Sequence, residues 1–178
     1  PCHAIMSNYK IEDYYIVELP NSLELSQRYL RAVLDQETYS KIHFVHAEDL
    51  GTLASRNYDL CINVDSLAEM DIEVVRYYLE YIAGNADYFY VKNPVGKYLD
   101  KSLDNHAEGD EVVRMALGAG PLTDVIDVHD NLAVEGKVSD FLEAYRPGSG
   151  WDCLGQSWAP PFSYYWQAIF QKHNKRAQ

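Results

Sequence analysis

Hydrophobic and polar positions fall into alternating blocks along the first half of the chain. Tyr14-Tyr15-Ile16-Val17-Glu18-Leu19 is a run of β-favouring residues ended by Pro20-Asn21, which predicts a strand and then a turn. Asn21 or Ser22 can cap a following helix, with Glu24 early in it, and Leu23, Leu30 and Leu34 recur at helical spacing over Ser22–Leu34. Ile42–His46 predicts a second strand, and Ala47–Gly51 a loop after it. Tyr58–Val64 is apolar through its centre, as in a strand buried on both faces of a parallel sheet. Ile72–Ala83 carries Ile72, Val75, Leu79 and Ile82 on one helical face, with Gly84 as its C-cap. Asp87–Val91 predicts a fourth strand, stopped by Asn93-Pro94. This alternation of strands and helices is that of an α/β fold, mostly parallel, with helices on both faces of the sheet.

The second half is less regular. Glu111–Leu117 and Ser139–Tyr145 predict short helices, and Asp124–His129 a strand or an extended loop. After Pro147-Gly148-Ser149-Gly150 comes an aromatic tail. Within it Trp151–Trp158 predicts a late strand. Tyr164–His173 predicts a closing helix whose basic end (Lys172, Lys175, Arg176) suits the helix dipole.

Composition narrows the function. Fifteen Lys and Arg against 27 Asp and Glu give a net charge of −12, which disfavours nucleic acid and anionic membrane surfaces as partners. With 178 residues, 47% hydrophobic and 24% charged, the chain reads as one globular domain. Tyr is unusually frequent, at 15, and such rings line cores, pockets and interfaces. Cys2, Cys61 and Cys153 are widely spaced and form no CxxC pair, which fits a reducing cytoplasmic setting. No apolar stretch reaches the roughly 18–20 residues of a membrane span, and the first ten residues have no signal-peptide pattern.

Ligands of open parallel sheets bind at the carboxyl ends of the strands. The polar residues there are Glu18, then Glu48 and Asp49, then Asn63, Asp65 and Glu69, then Lys92 and Asn93. A carboxylate at a strand tip can accept both hydroxyls of a ribose, and an acidic residue on the next loop can reach an adenine amino group. Each has a plainer reading: Glu18 precedes a Pro turn, Glu48-Asp49 suits a solvated loop, Asp65 a turn cap and Glu69 the surface. Asn63 is harder to dismiss, because a buried amide needs partners. His43 and His46 lie on opposite faces of a strand and make a poor metal pair, while His106 and His129 sit in acidic loops.

The order YYIVELPNSLELSQRYL, IHFVHAEDL, YDLCINVDSLAEM, ADYFYVKNPVGKY resembles class I S-adenosylmethionine-dependent methyltransferases, and more narrowly the sugar O-methyltransferase group. The resemblance covers Tyr14–Tyr98 and fits the C-terminal part only loosely. It implies S-adenosylmethionine as cofactor, with Glu18 on the ribose hydroxyls, Glu48 and Asp49 near adenine, and Asn63 near the methionine part. Asp65 and Glu69 would face a sugar or glycoside acceptor. A sugar hydroxyl is a poor nucleophile, so a base within hydrogen-bond reach would help it attack the methyl carbon; Glu69 is the first choice and Asp65 the second. Some sugar methyltransferases use a divalent metal to orient the acceptor diol. The acidic residues here permit one, but they define no ligand set.

The family's first strand and Gly-rich loop should precede Tyr14, yet only thirteen residues do, and they contain no Gly. Pro1–Asn8 resembles the end of the helix after that loop. Gly118-Ala119-Gly120 lacks the strand-to-helix setting of a cofactor loop and reads as a turn. The expectation is a single methyltransferase-like domain over residues 1–178, N-terminally truncated and missing its first strand, or a degenerate version of it. Such a sheet would expose edges and could pair with another copy. The alternatives are a non-catalytic α/β binding or assembly module with its aromatic tail docking a partner, and a nucleotide-sugar or dinucleotide enzyme of related topology.

Overall fold

The computed structural model describes residues 1–98 and 109–173. The chain divides into two compact units, Pro1–Ser55 and Arg56–Gln178.

The first unit contains α1 (Cys2–Asn8), β1 (Tyr14–Glu18), α2 (Pro20–Val33), the single turn α3 (Gln36–Tyr39), β2 (Ile42–His46) and a 3-10 segment over Ala47–Leu53. β1 and β2 pair in parallel, from Tyr14 opposite Ile42 to Glu18 opposite His46. Cys2, Met6, Leu30 and Ile42 form its core. α2 starts earlier than its polar residues suggest. Leu19 is the N-cap and Pro20 opens the helix without a side-chain cap, because proline's fixed φ suits the first turn and its missing N–H is not needed there. Asn21 and Ser22 therefore lie inside the helix.

The second unit contains β3 (Tyr58–Val64), a short 3-10 turn (Leu67–Glu69), α4 (Ile72–Asn85), β4 (Ala86–Pro94), α5 (Gly109–Gly118), α6 (Asn131–Glu135), α7 (Val138–Tyr145), β5 (Trp151–Trp158) and β6 (Tyr165–Lys172). Its sheet has the order β3-β4-β6-β5. β3 and β4 are parallel, whereas β6 runs antiparallel to both β4 and β5. The fold is thus α/β with a mixed sheet.

Four local expectations are corrected. Tyr165–Lys172 is a strand rather than a helix, because Trp166, Ala168 and Phe170 are buried while Gln167, Ile169 and Gln171 are less so, a period of two. Lys175 and Arg176 lie outside the described residues. Gly84 is inside α4, which Ala86 caps. β4 continues through Asn93 to Pro94, its last residue, which stands opposite Tyr165 of β6. β3 stands at one end of the sheet order, and Leu60 and Val64 are 46% and 39% exposed, so it is not buried on both faces. Asp124–His129 contributes one bridge, Val125 to Lys97.

The core of the second unit lies on one sheet face. Phe89 stands opposite Phe170, and Val91 opposite Ala168. Val75, Leu79 and Ile82 of α4 and Phe141 and Tyr145 of α7 complete the same cluster. Much of the aromatic tail is therefore core: Trp151, Trp166 and Phe170 are all buried. Cys61 packs against this cluster, and burial pushes its thiol up to about 11.

Gly120 pins the chain after α5. Its φ is +74°, its N–H donates to the Met70 carbonyl at 2.7 Å, and an added Cβ would lie 2.5 Å from the Ala68 oxygen. Gly120→Ala meets both a positive φ and a backbone clash, and is expected to lower stability by more than about 1 kcal/mol in urea unfolding.

Candidate functional site

The structure places the strand-end residues in two groups. In the first unit Glu18 ends β1, partly exposed, and its Oε1 accepts from the Leu19 amide at 2.9 Å. Glu48 and Asp49 are exposed on the 3-10 segment, where the Asp49 carbonyl accepts from the Thr52 hydroxyl at 2.7 Å. His43 Nε2 donates to Asp13 Oδ1 at 2.6 Å, and the imidazole stacks on Tyr15. His106 lies outside the described residues, and His129 is exposed in a loop. Among the described residues no cluster of three or more His, Cys, Asp or Glu is placed to hold a metal ion.

In the second unit the ends of β3 and β4 form a polar centre. Asn93 is fully buried, and its Nδ2 donates to Asn63 Oδ1 at 2.9 Å. Asn63 Nδ2 donates in turn to the Ser66 hydroxyl at 2.5 Å. Asn93 Oδ1 and the Tyr145 hydroxyl are buried without a hydrogen-bond partner. A buried polar atom left unpaired costs about 1–3 kcal/mol, so such atoms mark a place where a polar group from outside would be welcome.

Asp65 follows β3 directly. Its φ of +65° makes it the one non-glycine residue with positive φ among those described. Its amide donates to the Lys92 carbonyl at 2.9 Å, and the Tyr165 hydroxyl donates to its Oδ1 at 2.6 Å. Glu69 is exposed on the turn that follows. Lys97 donates to the Ala68 carbonyl at 2.9 Å; burial lowers its pKa, and the Glu69 charge opposes that shift.

Of the residues singled out in the sequence, Asn63, Asp65, Glu69 and Asn93 lie in this part of the chain; Tyr145, Tyr164 and Tyr165 were not among the candidates. Burial pushes all three phenols above the ordinary tyrosine range, Tyr164 up to about 12, and the Asp65 charge adds to each shift. For Tyr165 the hydrogen bond to Asp65 is the second cause after burial. Because β6 is antiparallel, its first residues arrive at the edge where β3 and β4 end. The pair Tyr164-Tyr165 after Pro160-Pro161 was the available signal, hidden by the helical assignment.

No protein-family model matches the chain, and no curated protein matches it. Solved structures do. An O-methyltransferase family 2 protein from Planctomyces limnophilus, in complex with apigenin, aligns over 96% of this chain at 10% identity and a TM-score of 0.57. An O-methyltransferase family protein from Burkholderia thailandensis aligns over 92% at 15% identity and a TM-score of 0.53. PigF, solved with SAH, aligns over 95% at 15% identity and a TM-score of 0.51. The chain spans 45%, 45% and 46% of the length of these three proteins. What they share with it is the Rossmann-like methyltransferase fold.

A tyrosine whose pKa is raised in the folded state gives stability that is complete below its unfolded value, about 10, and is lost as pH rises through the folded value. Unfolding free energy should therefore fall above pH 10 and keep falling beyond pH 12. Tyr164→Phe and Tyr165→Phe should each make that fall shallower, as read by urea titrations from pH 9 upward.

Proposed function

We propose that the chain belongs to an S-adenosylmethionine-dependent methyltransferase that methylates a hydroxyl of a small molecule, sugar-like in the narrower reading. The observation that carries this is the likeness in fold to O-methyltransferases over 92–96% of the chain. PigF was solved with SAH, which favours the same cofactor here. The polar centre at the ends of β3 and β4 fits such a role, since Asn93 Oδ1 and the Tyr145 hydroxyl are acceptor and donor awaiting partners.

When bound, the cofactor supplies an electrophilic methyl group on a sulfonium. Glu18, at the tip of β1 and partly exposed, is assigned to the ribose hydroxyls, Glu48 and Asp49 to the adenine side, and Asn63 to the methionine side. Asp65 is the preferred base over Glu69. Tyr165 fixes one of its oxygens, and among the described residues no side chain donates to the other. That second oxygen would take the proton of the acceptor hydroxyl while the oxygen attacks. Glu69 is exposed and has no such donor among the described residues, so it is less well held. A divalent metal is not part of this reading.

Calorimetric titration of S-adenosylhomocysteine into the complete reading frame that carries this chain tests the proposal. Saturable binding is expected, weakened by Glu18→Ala by roughly tenfold or more, the loss of charge-assisted hydrogen bonds to two hydroxyls. A folded protein that releases no binding heat would overturn it.

A further inference from the structure

Three consecutive residues of β4 converge on the turn that carries Asp65. The Lys92 carbonyl accepts from the Asp65 amide at 2.9 Å. Asn93 donates through Nδ2 to Asn63 Oδ1 at 2.9 Å, and Asn63 passes the link on to the Ser66 hydroxyl at 2.5 Å. Pro94 stands opposite Tyr165, whose hydroxyl donates to Asp65 Oδ1 at 2.6 Å. Asn63 and Ser66 bracket Asp65 in the chain, so the bond between their side chains closes a short loop around its positive φ. A sparsely populated backbone conformation persists where its surroundings over-determine it.

Asn93 is the costly member of this arrangement. It is the one buried polar or charged side chain among the described residues. It stands opposite Trp166, on the sheet face that carries Phe89 and Val91 into the core. A core that needed only volume here would be served by leucine, which has the same branched shape and no amide to desolvate. The amide makes one side-chain hydrogen bond, to Asn63, and its Oδ1 makes none. Packing does not account for the asparagine, whereas the link to Asn63 does.

We infer that Asn93 is a positioning residue for Asp65: acting through Asn63 and Ser66, it fixes the turn that aims the Asp65 carboxylate. That this carboxylate is the base rests on the proposed methyltransferase reading; the relay itself does not. A base must stand within hydrogen-bond reach of the proton it takes, and a small misplacement costs much of the rate. Tyr165 alone fixes one oxygen but leaves the backbone free to swing about it. The relay removes that freedom from the other side of the turn. Asn63, assigned to the methionine side of the cofactor, then joins the cofactor to the base through one side chain.

Two protons report on Asp65 in NMR of the full chain. One is its own amide, held by the Lys92 carbonyl; the other is the Tyr165 hydroxyl, held by its carboxylate and assigned by its loss in Tyr165→Phe. Asn93→Leu and Ser66→Ala should each speed exchange of both protons with water by about tenfold or more, relative to the core amides of Phe89 and Val91. Ser66→Thr keeps the hydroxyl and should exchange like the wild type. Asn93→Leu combined with Ser66→Ala should be no faster than either alone, because the two act in series. Ser66 is only partly buried, so Ser66→Ala decides the question if Asn93→Leu does not fold. Unchanged protons in Ser66→Ala, additive effects, or a Ser66→Thr as fast as Ser66→Ala would overturn the inference. So would a Tyr165 hydroxyl that stays slow while the Asp65 amide quickens, or one too fast to observe in the wild type. The readout needs no cofactor: if S-adenosylhomocysteine does not bind while the relay holds, the methyltransferase reading fails and the relay stands.

Discussion

The second unit depends on the antiparallel pairing of β6 against β4. The register runs from Tyr88 opposite Gln171 to Pro94 opposite Tyr165, and it extends past the strands, where the Val95 amide donates to the Tyr164 carbonyl at 3.0 Å. That register sets Phe170 against Phe89 and Ala168 against Val91 on the face that α4 and α7 cover. A slip of one residue would turn every one of these side chains to the other face. The direction of β6 matters as much as its register. Were it parallel, its first residues would lie at the far edge of the sheet, and Tyr165 could not meet an aspartate 100 residues earlier in the chain.

Several strands were legible because their signals are local. Tyr58–Val64, Ile42–His46 and Trp151–Trp158 are short β-rich runs bounded by turn residues, and they form strands with those limits. Where local and long-range signals competed, the long-range one prevailed. Gly84 and Asn93-Pro94 look like stops, yet α4 and β4 continue through them because packing and pairing reward each added residue. In Tyr165–Lys172 the aromatics suit either element and the terminal lysine suggested a helix. The alternation of Trp166, Ala168 and Phe170 with Gln167, Ile169 and Gln171 was the better guide. The same competition explains what could be read of the site. Asn63 and Asp65 stand out because a strand end is visible in sequence. The tyrosines that surround Asp65 depend on a strand whose direction no local pattern encodes.

The abundance of tyrosine resolves into two uses. Tyr145 serves the core through its ring, packed 4.9 Å from Phe141. Tyr164 and Tyr165 work through both ring and hydroxyl at the sheet edge. The asparagine pair has a related double character. A fully buried amide in an otherwise apolar face is costly unless paired, and Asn93 is paired on its nitrogen side only. The half that is satisfied orients Asn63; the half that is not leaves the centre receptive.

The backbone at Asp65 bears on how this site could change over generations. A φ of +65° excludes nearly every side chain, yet aspartate, asparagine and glycine all accept it. Aspartate and asparagine codons differ by one base, as do aspartate and glycine codons. The steepest chemical change available, from a charged group to a neutral or absent one, is thus also among the easiest for the backbone to absorb. Ligand preference at this sheet edge is therefore evolutionarily cheap to revise, while the architecture that supports it stays in place.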